Sequence, residues 1–217
     1  MAQPHDAFQA IEQGNLQRLR ELLAENPSLA EARSAQGVSI VLVARYAFQM
    51  ELVELLLAHE PVLDAFTCAA LGRASELEAL LEHDRGLAQA FQGDGFTALQ
   101  LACFFGSPEC ARTLLERGAQ IEAVSQNGME LRALHAAAAS KRADIVELVL
   151  AHGAEPNLQQ HGGWTALHAA VNNADEPVVR ALVARGADAN IANDFGKTAL
   201  DLAREKQLDA LVRLLER

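Results

Sequence analysis

The chain has 217 residues, half of them apolar, and a net charge of −11 from 18 basic and 29 acidic side chains. It holds no cluster of Lys and Arg, which argues against a nucleic-acid partner, because a phosphate backbone is held by grouped cations. Cys68, Cys103 and Cys110 are an odd, irregularly spaced set and make a poor disulfide framework, the start "MAQPHDAFQA" lacks the features of a signal peptide, and no apolar run is long enough to cross a bilayer, so the reading is a cytoplasmic protein with reduced thiols and no membrane partner.

Ala and Leu dominate, which favours helices over sheets. Fifteen Arg against three Lys fit a GC-rich bacterial gene. In chain order the sequence divides into seven related units, at about 4–36, 37–62, 63–94, 95–127, 128–162, 163–195 and 196–217. The repeat is plainest in the second half. "ALHAAAASKRADIVELVLAHGAEPN" starts at Ala133, "ALHAAVNNADEPVVRALVARGADAN" at Ala166 and "ALDLAREKQLDALVRLLER" at Ala199, 33 residues apart. "ALQLACFFGSPECARTLLERGAQIE" precedes them at Ala98, at a spacing of 35. A longer period of 58 places Gly14 to Asp64 on Gly72 to Glu122, so that Ala44 falls on Ala102 and Leu56 on Leu114.

Each unit reads as helix, turn, helix, loop. The first carries Glu12, Gln13, Arg18 and Arg20 for a solvated outer face. In the third, Glu76, Glu78 and Glu82 read as a solvated helix face. The fourth opens on Thr97 and Gln100, the spacing of a capping box, and Thr165 with His168 and Thr198 with Asp201 repeat it. Gly118, Gly153 and Gly186 stand where a helix ends in a left-handed residue. Gly93 and Gly95, either side of Asp94, read as turn glycines. Arg213, Glu216 and Arg217 give the last helix its polar end. Such helix pairs bury their apolar faces only by stacking on one another.

The motifs "GFTALQLA", "LRALHAAA", "GWTALHAA" and "GKTALDLA", each followed by an "IVELVL"-like helix, and the endings "GAEPN" and "GADAN", resemble ankyrin repeats. The resemblance covers residues 90–217 well and 4–90 more loosely. It implies one all-α domain over 1–217, a solenoid of about seven helix-turn-helix repeats with projecting β-hairpin loops. First helices and hairpin tips line a concave face. Three departures stand out. "HEPVLDAFTCAALG" leaves no room for a full hairpin, so one is shortened or missing near residues 60–66, which predicts a groove interrupted there. The loop "VSQNGMELR" is about two residues longer than its equivalents. The first unit lacks the Thr-x-x-His signature.

The resemblance also implies that His135 and His168 are structural, bonding the adjoining turn, together with the helix-opening Thr97, Thr165 and Thr198. Cys68, Cys103 and Cys110 occupy packing positions. No metal-ligand spacing, nucleophile elbow or phosphate loop occurs, so no catalytic residue, metal or cofactor is expected. Ankyrin geometry places Phe96, Phe104, Gln126, Asn127, Met129, His161, Trp164, Asn172, Asn173, Asp194, Phe195 and Tyr46 on the groove, with Val38 in a matching place. Aromatic and Met side chains there suit a contact surface, while Phe105 reads as local core. The function expected is a non-catalytic, monomeric module that binds a partner protein through its concave face and hairpin tips. The alternatives are a recognition or regulatory part of an enzyme, an enzyme with a groove site, or end-to-end self-association.

Overall fold

The computed structural model describes residues 2–216, so Arg217 lies outside the described residues. Among these, fourteen α-helices follow one another in pairs. The pairs are α1 (Pro4–Glu12) with α2 (Leu16–Glu25), α3 (Ile40–Tyr46) with α4 (Met50–Leu57), α5 (Ala65–Leu71) with α6 (Ala74–His83) and α7 (Ala98–Phe104) with α8 (Pro108–Glu116). They continue as α9 (Ala133–Ala139) with α10 (Ala143–Ala151), α11 (Ala166–Asn172) with α12 (Glu176–Ala184) and α13 (Ala199–Glu205) with α14 (Asp209–Leu215). No helix among the described residues is long and apolar enough to cross a membrane.

Short helices need help at their ends, because a few turns gain little from propensity alone. Six of the seven first helices are only seven residues long. Side chains cap most of them: Ser39 accepts from the Leu42 N–H, Asp64 from Thr67, Thr97 from Gln100, Thr165 from His168 and Thr198 from Asp201. The last three are reciprocal capping boxes. Each helix pair then turns through one left-handed residue. Gly14, Gly72 and Gly106 fill that position in three pairs, and Phe48, Lys141, Ala174 and Gln207 fill it in the other four.

The first helices stack in a continuous row from α1 to α13, each packed on the next. The second helices form a parallel row with one seam: α4 and α6 hardly touch, whereas the other neighbours in that row pack. The core divides at the same place. One buried cluster runs from Ala2 to Leu56, and a second holds Val38, Leu42 and the buried residues from Ala65 to Leu211. The cause is a short link. Only residues 58–64 join α4 to α5, while the other connections between pairs run to fourteen residues or more (26–39, for example) and fold back as fingers. Four fingers close on antiparallel bridges, Arg33 to Ser39, Phe91 to Thr97, Ala192 to Thr198, and β1 (Gln159–Gln160) with β2 (Trp164–Thr165). The longer loop between α8 and α9 closes instead through the Ser125 N–H on the Leu131 carbonyl, at 2.9 Å.

The missing finger does not interrupt the row of tips, contrary to the sequence expectation. The fingers on either side close up. A Cβ on Gly93 in the α6–α7 finger would lie 1.7 Å from the Gln36 carbonyl oxygen in the α2–α3 finger. Gly93 lies in the turn that the sequence predicted, without a left-handed backbone, and is needed there for this close approach. Gly95 does turn left-handed, at φ +87°. Onward contacts are backbone bonds between tips: Gln126 N–H to Gly95 O (2.8 Å), His161 N–H to Met129 O (3.1 Å) and Asp194 N–H to Gly162 O (3.0 Å). Side chains tie the seam as well. Arg33 Nη1 meets Asp64 Oδ2 at 2.7 Å, and the buried hydroxyls of Ser39 and Thr67 are 2.7 Å apart.

Candidate functional site

With no finger between α4 and α5, Tyr46 at the end of α3 reaches across α5 to the next finger. Its hydroxyl donates to Asp94 Oδ2 at 2.6 Å. Burial, and then that hydrogen bond and the Asp94 charge, push the phenol above its usual range. Tyr46 thus fixes the first wall of an aromatic cluster. Its ring lies 6.4 Å from Phe96 and 5.9 Å from Phe105. Phe105 is the hub, because Phe48 (5.9 Å), Phe104 (5.1 Å, edge-on) and the Arg45 guanidinium (4.2 Å over the ring) also pack on it.

The outer members of this cluster face solvent. Phe48 is 65% exposed, Met129 55% and Phe104 37%. They surround an apolar depression of about 310 Å³, completed by Tyr46, Phe96, Leu101, Leu131 and Ala139. Phe48 is held there at φ 57°, in the left-handed region. A bulky side chain in that region costs about 1 kcal/mol or more relative to its usual backbone, and aromatic exposure adds a further penalty. Its contacts with Phe104 and Phe105 leave most of the ring in water, at a position where three other units place glycine.

The sequence-predicted groove residues do not form one patch. Tyr46, Phe96, Phe104 and Met129 meet in the depression. Gln126 and Asn127 are exposed on the adjoining finger, where Asn127 donates to the Asp94 carbonyl at 3.2 Å. Val38 is instead buried core, drawn in where the two neighbouring fingers close up. Trp164 stands apart on the α10–α11 finger, half-buried, with its ring centre 5.6 Å from that of His168 in an edge-on arrangement. His161 is exposed beside it. Asn172 and Asn173 end α11, and Asp194 with Phe195 (74% exposed) forms the tip of the α12–α13 finger. Phe48, Leu101 and Leu131 line the depression without having been singled out in the sequence, and Ala139, which repeat geometry also places on the groove, and Gln100 complete it. The 58-residue period held a signal for Phe48, since it falls on Gly106.

The titratable groups in the fold are engaged in structure. His168 Nε2 lies 3.0 Å from the Lys197 carbonyl and His135 Nε2 3.0 Å from that of Leu158, each pinning the following finger. Gln100 does the same in α7 by donating to the carbonyls of Ala123 and Leu131, both at 2.8 Å. Burial pushes His135 down to about 4 and lowers His168 too, so both rings are neutral at pH 7. The three thiols are buried and unpaired, pushed up by burial to about 12 for Cys68 and Cys103 and about 11 for Cys110. A thiol in that range is a poor nucleophile. Among the described residues, no three His, Cys, Asp or Glu side chains are grouped to hold a metal ion. Glu78 and Glu82 lie on the outer surface, paired with Arg117 at 2.8 and 3.3 Å.

Comparison with known proteins gives the following. A family model described as "Ankyrin repeats (3 copies)" matches residues 62–125 and 134–217. The chain is 36% identical over 72 residues to BCL-6 corepressor-like protein 1 of Homo sapiens, covering 33% of this chain and 4% of that protein. It is 25% identical over 171 residues to the E3 ubiquitin-protein ligase KEG of Arabidopsis thaliana, covering 75% and 9%. It is 38% identical over 73 residues to the B-cell lymphoma 3 protein homolog of Mus musculus, covering 34% and 16%. The matches therefore span less than a fifth of each relative's own length.

Proposed function

The chain belongs to the ankyrin repeat family, and on that premise we propose that it is a non-catalytic module that binds a partner protein through its concave face and finger tips. Ankyrin repeats are in general protein–protein interaction modules. The observation that carries the reading here is the joint exposure of Phe48, Phe104 and Met129 around one apolar depression. A contiguous apolar patch on a soluble fold marks an interaction site, and aromatic and Met side chains are the residues such sites favour. Phe195, Trp164, His161 and Asp194 extend the surface along the later fingers, and Gln126, Asn127, Asn172 and Asn173 supply polar contacts beside it.

The chemistry of the buried groups supports the same reading. Both signature histidines hold fingers, and no thiol is activated. The test is capture by the immobilised full chain from a lysate of its native cells, run beside the double variant Phe104→Ala/Trp164→Ala. One protein held by the parent chain and lost by the variant is expected. Recovery of the same proteins in equal amounts by both would overturn the groove assignment.

A further inference from the structure

The aromatic depression has a neighbour of opposite chemistry. Phe48, Phe104 and Ala139 form a wall shared with a second depression of about 400 Å³. Its polar lining includes Arg45, Lys141 and Arg142, and no carboxylate lines it. This lining stands out against a chain with 29 acidic and 18 basic residues. Arg142 is occupied by Asp144 at 2.6 Å and by the Gly106 carbonyl. Arg45 and Lys141 have no ion pair among the described residues. Arg45 is held in place by the Ala70 carbonyl and the Phe105 ring, and Lys141 is exposed. One residue of the shared wall and one cation of the second depression are held at a backbone cost. Phe48 and Lys141 both occupy the left-handed turn position, at φ 57° and 59°.

We propose that the two depressions together receive an acidic segment of the partner protein. One bulky apolar side chain fills the aromatic depression. A carboxylate a few residues away meets Lys141 and Arg45. The proposal rests on the protein-binding reading above. A small anionic amphiphile has the same two chemistries, but a small-molecule site normally encloses most of its ligand, and neither depression is closed. An open pair suits a chain that buries further area on the neighbouring helices and fingers. A cation left without a partner beside an apolar pocket supplies charge complementarity, which sets specificity and on-rate.

The turn position provides variants that spare the fold. Phe48→Gly and Lys141→Gly each place glycine where three other units already have it, relieving the left-handed backbone while removing the ring or the charge. A random-peptide phage library is panned against the full chain, and selected sequences are synthesised and titrated by fluorescence polarisation. Enriched peptides are expected to carry one Trp, Phe or Leu with Asp or Glu within a few positions. Affinity should weaken as salt rises, and each glycine variant should lower it about tenfold or more. No enrichment, enrichment without acidic residues, or unchanged affinity in both glycine variants overturns the proposal. If Trp164→Ala or Phe195→Ala weakens the peptides while the glycine variants do not, the contact lies elsewhere on the concave face. The acidic-segment proposal then falls and the protein-binding reading stands. If none of the four variants weakens binding, both fall. Tight laurate binding lost in the glycine variants, with no peptide enriched, would assign the site to a small amphiphile and also overturn the proposal.

Discussion

Gly93→Ala tests whether the fingers flanking the short link really close on each other. The new Cβ would stand 1.7 Å from the Gln36 carbonyl oxygen, whereas carbon and carbonyl oxygen rest at about 3.3 Å or more. The fingers must part by well over an ångström. Gly93 is not in the left-handed region, so the whole cost is steric, and overpacking of this kind costs about 1–3 kcal/mol. The clash falls on the junction between the two core clusters, where α4 and α6 already give little support. In a stacked repeat array, weakening one interface lets the smaller block unfold first. With a urea slope of about 1–3 kcal/mol per molar, helicity should begin to fall about 1 M earlier in the variant. The chain has a single tryptophan, Trp164, well inside the larger cluster's fingers. Its fluorescence midpoint should hardly move. Gln36→Ala in the same background should not restore stability, because the obstacle is a backbone oxygen. Gly118→Ala is the contrast. It meets open space but sits at φ +87°, so it carries only the left-handed backbone cost, about 1 kcal/mol. An unshifted helicity transition in Gly93→Ala, or equal shifts of helicity and Trp164 fluorescence, would refute the closed seam.

Three other predictions follow from the buried polar groups. Tyr46→Phe removes the hydroxyl from Asp94 and should cost about 1–2 kcal/mol by urea melts. In the parent chain the one tyrosine should stay protonated in the fold, with stability declining above about pH 10, where the unfolded phenol ionises; tyrosinate absorbance rising near that pH with helicity intact would contradict this. His135 is held down at about 4, below its unfolded value of about 6.5, so the unfolded chain binds more protons as the pH drops. Its contribution is therefore complete above about pH 6.5 and is lost progressively toward pH 4, up to about 3 kcal/mol in the limit. His135→Gln, which copies the arrangement at Gln100, should keep stability at pH 7 and flatten the decline between pH 6.5 and 4; an equally steep decline in the variant would assign it to other groups. The three thiols, raised to about 11–12 by burial, should resist iodoacetamide at pH 8 in the native chain and react fully in urea. Labelling of the native chain at any one of them would show an exposed or activated cysteine.

Much of the architecture could be read in advance because its signals are local. Thr97 with Gln100, Thr165 with His168 and Thr198 with Asp201 announce helix starts within four residues, and "HGA" or "RGA" announces the ends. The missing finger was visible as a missing length of chain near residues 60–66, where the structure has the short link 58–64. What that link does was not visible, since its consequence is a contact between Gln36 and Gly93, more than fifty residues apart, and no local pattern encodes which tips will meet. Val38 was misplaced for the same reason: its burial follows from two fingers moving together. Tyr46 was placed on the groove from repeat geometry, but its partner Asp94 lies at the far end of the next unit, on the finger beyond α5, and is reachable because the intervening finger is absent.

Phe48 shows how a repeat can hide an irregular residue and also reveal it. Within "ARYAFQM" it looks like one more apolar residue at the end of a helix. Set against the equivalent turn position in the other units, it is an anomaly, because Gly14, Gly72 and Gly106 occupy that place and the backbone there is left-handed. Packing accounts for it only in part, since Phe48 contacts Phe104 and Phe105 while 65% of the residue faces solvent. A residue that breaks a local rule with little gain in burial is a reason to test that position for function. Lys141 breaks the same rule, one wall away, in the same pair of depressions. Ala174 and Gln207 also break it, so tolerance of the left-handed turn is general in this chain. What separates Phe48 and Lys141 is where they stand, side by side across Phe104, one supplying apolar surface and the other an unpaired charge. The repeat fixes the backbone at these turns and leaves the side chain free to vary, and the proposed contact with an acidic segment rests on that freedom.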